Sequence, residues 1–206
     1  LLELNRIPGA AVLNRIRPLQ YFEEYLREGY YPYAHVSTGD FQSIVRQMIN
    51  NSLEGDLTAL HQIDYISVGK IRQFLFFLAN KGPDKPNIEK LANNFSTTRD
   101  SLLKFIKYLN WAGFVNVVNR RAEGLKYQTK PDRLYLNNSN LINVISREHV
   151  NNGTIMETFL LNQLQIKHSV QLSENEGFLV DGRYHFEMDW KASSVRKPRQ
   201  PRGDYQ

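Results

Sequence analysis

The sequence predicts a mainly α fold with small β elements, and three observations carry that prediction. Apolar residues recur at three- and four-residue spacing in Leu19, Phe22, Tyr25 and Leu26, in Phe41, Ile44, Val45, Met48 and Ile49, and in Ile71, Phe74, Leu75 and Leu78. Residues 87–136 run in the order helix, tight turn, helix, strand, strand, which is the sequence shape of a winged helix-turn-helix. Asp181-Gly182 separates the short runs Phe178-Leu-Val180 and Tyr184-His-Phe186, a strong hairpin pattern because both central residues tolerate positive φ.

Composition sets the outer limits. The 206 residues give room for one large domain or two small ones, and 23% charged with 12% aromatic residues indicates a folded body. No cysteine occurs, which excludes disulfides and thiolate metal sites and points to the cytoplasm as the expected location. The longest apolar run, residues 74–79, is too short to span a bilayer, and the first residues carry no secretory pattern. The absence of an initiator methionine suggests a fragment of something longer. The formal charge is +5, but Lys191, Arg196, Lys197, Arg199 and Arg202 against Asp204 make the tail +4 and leave only +1 for the other 190 residues. A nearly neutral body with a basic tail is weak support for phosphate binding.

Four regions follow along the chain. Residues 1–66 are expected to be helical: the first apolar stripe stops at Gly29 with Pro32 beyond it, and the second stripe follows from Phe41. Such amphipathic helices must pack on a neighbour. Residues 67–136 open with Ser67 as the expected cap of a helix that ends at Gly82-Pro83. Asn87 caps the next helix, Ser96-Thr97-Thr98 forms the turn, and a longer helix from about Arg99 to Ala112 buries Leu102, Ile106 and Leu109 before Gly113 closes it. Strands are expected from Phe114 to Val118 and from Arg133 to Leu136 around a polar turn. Residues 137–190 hold a short helix near Leu141 to Ile145, a stronger one from Thr154 to about Ile166, a strand at Val170 to Leu172, and the Asp181-Gly182 hairpin. Residues 191–206, with Pro198, Pro201 and no apolar period, read as a disordered basic tail.

Two sets of residues are candidates for function. If the longer helix entered a DNA major groove, Thr97, Thr98, Arg99 and Ser101 would approach bases and phosphates, with Lys104 and Lys107 behind them. Arg120, Arg121 and Lys126 on the wing would then contact flanking phosphates. The plain alternative is that these cations are solvated, and Asp100 and Glu123 dilute the positive field. The second set is Glu157, Asp181 and Glu187, the residue types with which nucleases hold Mg²⁺. Here the alternative is a solvent-facing Glu157, a turn-forming Asp181 and a polar strand face at Glu187; Asp189 stands where a lysine would have strengthened the nuclease case. The five histidines show no ligand spacing, so no metal site is assigned. Neither a phosphate-binding P-loop nor a nucleophile elbow occurs, and no catalytic residue is assigned.

Several segments together are similar to a prokaryotic AAA-type ATPase family. Leu19-Gln-Tyr-Phe-Glu-Glu-Tyr-Leu-Arg-Glu-Gly-Tyr-Tyr-Pro32 resembles the segment that follows its ATPase module, and Pro86-Asn-Ile-Glu-Lys-Leu-Ala92 its winged-helix entry. Tyr108-Leu-Asn-Trp-Ala-Gly-Phe114 and Lys130-Pro-Asp-Arg-Leu-Tyr-Leu-Asn-Asn-Ser-Asn-Leu141 resemble the segments that close the recognition helix and the wing. Gly153-Thr-Ile-Met-Glu-Thr-Phe159, Asn162-Gln-Leu164 and Gly177-Phe-Leu-Val-Asp-Gly-Arg-Tyr-His-Phe-Glu187 resemble the start of its restriction-endonuclease-like domain, although Gly177 stands where relatives often carry an acid. The resemblance implies a helical lid segment (1–66), a winged helix-turn-helix (67–136) and an incomplete α/β endonuclease-like domain (137–190). The family's Gly-Gly-Lys stretch is replaced by Asp189-Trp-Lys191.

On this reading the chain is a non-catalytic C-terminal adaptor of a AAA-type ATPase and holds no cofactor itself, with ATP and Mg²⁺ bound elsewhere in the parent. Its expected partners are the upstream ATPase domain, DNA and a second copy of itself; no membrane is involved. A stand-alone winged-helix DNA-binding protein is the first alternative and a divalent-metal nuclease the second. A sheet cut short would expose edges, so self-association or local disorder is expected near residues 170–190.

Overall fold

The computed structural model describes residues 18–35, 40–61, 63–120, 130–146, 150–174 and 177–187. The expected tail, the wing residues Arg121 and Lys126, and residues 1–17 lie outside the described residues. The chain is mainly helical with two small antiparallel sheets. Helix α1 (Pro18–Glu24) continues into a π-helical turn, Tyr25–Gly29. Helix α2 (Phe41–Asn51) continues in the same way through Ser52–Asp56 into α3 (Leu57–His61). Then come α4 (Tyr65–Lys81), α5 (Ile88–Asn94), α6 (Arg99–Trp111), strands β1 (Val115–Val118) and β2 (Arg133–Leu136), α7 (Ser139–Ile145) and α8 (Asn152–Gln165). Strands β3 (Val170–Leu172), β4 (Phe178–Val180) and β5 (Tyr184–Phe186) complete the described chain.

The helices begin where side chains can take up free backbone N–H groups. Asp40, Asn87, Thr98, Asn138 and Asn151 each accept such a bond at the start of α2, α5, α6, α7 and α8. At α4 the expected cap moves. Asp64, not Ser67, caps the helix: its carboxylate accepts the Ser67 backbone N–H at 2.8 Å, and the Ser67 hydroxyl donates back to it at 2.9 Å. A charged acceptor at a helix N-terminus gains from both the hydrogen bond and the dipole, and Asp64 offers it three residues before Ser67. The turn between α5 and α6 is a Schellman closure. Thr97 N–H donates to the Ala92 carbonyl at 2.9 Å and Ser96 N–H to that of Asn93 at 3.1 Å, with Ser96 at φ +49°. Helix α6 ends in the same way, with Gly113 at φ +73°.

The main core is built from α2, α4, α5, α6, the β1–β2 hairpin and α7, with Val45, Leu53, Ile71, Phe74, Leu109 and Leu141 among its buried side chains. A second, smaller core joins Val118, Tyr135, Leu161, Leu172, Phe178 and Val180. The β1–β2 hairpin lies between the two. Leu134 and Leu136 face the main core while Tyr135, pointing the other way, enters the second. Each such side chain contributes roughly 1.5–3 kcal/mol by leaving water. Packing therefore crosses the bounds drawn at 66/67 and 136/137, because α7 buries Leu141, Ile142 and Val144 in the same core as α2 and α4.

The three-stranded sheet has the order β3-β4-β5, with Val180 opposite Tyr184 across the hairpin. The Asp181-Gly182 turn has both residues at positive φ, +53° and +65°, as the sequence pattern required. Leu172 N–H donates to the Asn119 carbonyl at 3.0 Å, so the outer edge of β3 is taken up by the chain leaving β1. Gly177 has φ +75°, and a Cβ there would lie 2.1 Å from the Phe186 carbonyl oxygen. Only glycine fits, which is the local reason for the absence of an acid at this position. No helix among the described residues is long and apolar enough to cross a membrane.

Candidate functional site

The first candidate surface is the N-terminal half of α6. Thr98 spends its hydroxyl on the helix start, accepting from Ser101 N–H at 3.1 Å and donating to the Ser101 hydroxyl at 2.9 Å. Both hydroxyls are thus engaged locally. Arg99 reaches Asp100 at 3.5 Å, an exposed pair of little energetic weight. Thr97 is half-buried in the turn, and Lys104 is exposed. Lys107 lies 4.5 Å over the ring of Trp111. Arg120 is exposed, while its backbone N–H is held by the Asp132 carboxylate at 3.0 Å. On the far side of the turn, Lys70 Nζ donates to the Ser96 carbonyl at 2.5 Å, binding α4 to the turn.

The three carboxylates of the second set have separate surroundings. Glu157 accepts from the Tyr135 hydroxyl at 2.8 Å and from Arg133 at 3.0 Å. Burial, and after it the Glu157 charge, pushes the Tyr135 hydroxyl pKa well above its ordinary value. Asp181 sits at an exposed hairpin tip, 2.6 Å from His168 Nδ1 and 2.9 Å from Ser169 N–H. The bond to His168, then that from Ser169, lowers its pKa below the usual carboxylate value. Glu187 is exposed beyond β5. Among the described residues no group of three or more histidine and acidic side chains stands ready to hold a metal ion. Glu157 does not face solvent as the plain reading supposed. It is half-buried against the hairpin, because Arg133 and Tyr135 lie on the β2 face that α8 covers.

A third arrangement is absent from the sequence reading. The side-chain oxygen of Asn140 accepts Tyr30 N–H at 2.8 Å, and its amide donates to the carbonyls of Leu26 at 2.8 Å and Tyr25 at 3.2 Å. Asn143 adds a second bond to Leu26 at 3.1 Å, and Asn138 donates to the Tyr31 hydroxyl at 3.1 Å. A π-helical turn leaves carbonyls without their usual intrahelical partners, and α7 supplies them. Below this joint, Asn162 of α8 donates to the Asn137 carbonyl at 3.0 Å, and Asn137 exchanges bonds with Asn116 of β1. Phe22 meets Phe159 edge to face at 5.1 Å, tying α1 to α8. The only sequence trace is the run Asn137-Asn138-Ser-Asn140, more asparagine than a short helix start needs.

The fourth feature is a groove along the outer face of α4. It falls into two hollows, of about 540 Å³ and 690 Å³, which share Arg72 and Phe76. Its trace in the sequence is Phe76, which continues an apolar run onto the face opposite Ile71, Phe74 and Leu78, with Phe77 at the edge of the core.

The fold and these surfaces define a mainly helical protein in which a helical segment, a helix-turn-helix with a hairpin, and a small sheet are braced against one another. The chain belongs to the family described as a domain of unknown function, DUF8612, whose model matches residues 19–151. The match ends before α8, so the small sheet lies beyond it. No curated protein and no solved structure matches the chain.

Proposed function

We propose that this chain is a non-catalytic adaptor region of a AAA-type ATPase, in which a lid-like helical segment and a winged helix couple an upstream ATP-binding domain to a partner. The observation that carries the reading is the burial of the β1–β2 hairpin on both faces. A wing that reads DNA keeps one face toward the nucleic acid, whereas here Tyr135 is 1% exposed and packs against Phe178 with ring centroids 5.9 Å apart. The asparagine joint supports the same reading, because it fixes the first helical segment to α7 and so passes a movement of one to the other. The reading predicts that the reading frame upstream of Leu1 encodes a P-loop lysine and a Walker-B acid, and that the longer protein hydrolyses ATP. If neither motif is encoded in frame, the proposal fails.

A second reading, a DNA-binding winged helix, is favoured by one observation: Arg99 and Lys104 stand exposed on α6. Its test is fluorescence anisotropy with duplex DNA over a salt series. A DNA reader loses affinity steeply with salt, and Arg99→Ala weakens it uniformly across sequences. Binding that is absent at low salt removes this reading and leaves the adaptor.

A further inference from the structure

We propose that the groove across the outer face of α4 docks an acidic, amphipathic helix of a partner protein. Helix α4 buries Val68, Ile71, Phe74, Leu75 and Leu78 on its inner side, which would ordinarily leave a polar outer side. Instead, Phe76 is 41% exposed at its centre. One hollow runs from Phe76 across Leu53 of the turn after α2 to Ile145 of α7. The other runs from Phe76 over Phe77 to Phe95 beyond α5. The floor is thus apolar and continuous on both sides of one aromatic ridge. From Arg72 to Lys81 the face extends about 14 Å, enough for two to three turns of a second helix with anchors at i, i+3, i+4 and i+7.

Charge selects the occupant. Among the described residues, the charged ones lining the two hollows are Arg46, Arg72 and Lys81, and none of those lining either hollow is a carboxylate. Arg72 pairs with Glu54 and Lys81 with Asp84, but both pairs are exposed and lie outside the floor, so they cost little to exchange. Arg46 donates to Gln42 at 3.3 Å along its own helix and points a cation at the first hollow. An apolar stripe flanked by Asp or Glu complements this rim, and a basic helix is repelled by it.

The proposal shares with the adaptor reading only the need for a partner, and its test uses the 206-residue chain alone. A displayed helical library with leucine fixed at i, i+3, i+4 and i+7, and every other position randomised, is selected against the chain. Enriched peptides are expected to be net acidic and to lose affinity about tenfold against Phe76→Ser and against Arg46→Glu, as a buried anchor and its rim charge require. Both side chains are exposed, and far-UV circular dichroism checks that the variants stay folded. The proposal is overturned by no enrichment, by neutral or basic winners, or by binding that neither substitution weakens. It is also overturned if sedimentation shows the unliganded chain pairing with a second copy through Phe76. Failure here leaves the ATPase reading to be decided upstream of Leu1.

Discussion

Asn140 accepts the backbone N–H of Tyr30 at 2.8 Å, joining residues 110 positions apart through a side chain that has no exposed surface. The same amide donates to Leu26 and Tyr25, so one residue satisfies three backbone groups of the π-helical turn. Asn140→Ala removes the bonds to Tyr30, Tyr25 and the buried Leu26 carbonyl, and is expected to cost about 2 kcal/mol in urea unfolding. Asn140→Asp is expected to be at least as damaging, because a carboxylate would face two carbonyl oxygens. Hydrogen exchange at Tyr30 should quicken in both variants. An unchanged Tyr30 rate would refute the joint.

The left-handed residue between α5 and α6 is a serine, at a place where glycine carries no Cβ penalty. Ser96→Gly should raise stability by about 1 kcal/mol, and Gly113→Ala should lower it by a similar amount. The Lys70 bond goes to the Ser96 carbonyl and survives the first substitution. Thermal melts of the two single variants check the opposite signs.

Tyr135 gives a prediction at high pH. Its folded pKa lies well above its ordinary value of 10.0, because burial and Glu157 both disfavour the phenolate. The stability it contributes is therefore fully present below pH 10.0 and is lost as the pH rises from there through the folded value. An ultraviolet titration should find one of the eleven tyrosines resisting ionisation until the chain unfolds. That missing step should disappear in Tyr135→Phe, which loses the hydroxyl's bonds to Glu157 and from Arg133, about 2 kcal/mol.

Two carboxylates act at low pH. Asp181 is lowered by His168 and Ser169, and Asp64 by the backbone and hydroxyl of Ser67. Depressed folded values mean that their contribution is present above the ordinary pKa of 3.8 and is lost as the pH falls below it through the folded values. Carboxyl carbon shifts followed by NMR should place both midpoints below 3.8, and Asp181→Asn should flatten part of the acid limb of the stability curve. A midpoint at or above that value for Asp181 would show that the His168 contact does not persist in solution.

Gly177→Ala should unlatch the small sheet, since the new methyl would overlap the Phe186 carbonyl oxygen at a backbone angle that alanine rarely adopts. The expected readout is loss of amide protection in β4 and β5, with α4 to α6 unchanged. Loss spread evenly over the chain would mean that the two cores do not unfold separately.

Local chemistry made most of the elements legible. The stripe of α2, the Asn87 and Thr98 caps, the Gly113 stop and the Asp181-Gly182 hairpin each depend on residues within a few positions of one another. The Ser67 assignment missed by one turn because Asp64, three residues earlier, accepts the Ser67 N–H and starts the helix sooner, leaving Ser67 inside its first turn. The candidate acids illustrate the limit. Glu157 and Asp181 are residue types that suit a metal, and only their surroundings show them bound to Arg133 and Tyr135 in one case and to His168 in the other.

By itself, then, the sequence determined where helices and turns begin and end, since capping, positive φ and apolar period are decided by neighbours in the chain. The tertiary structure alone decided which faces are covered. It buried both sides of Leu134-Tyr135-Leu136, used Asn140 to hold a turn more than a hundred residues away, and left Phe76 bare on α4. Burial and hydrogen-bond satisfaction depend on what arrives from elsewhere in the chain, and no local pattern encodes that arrival.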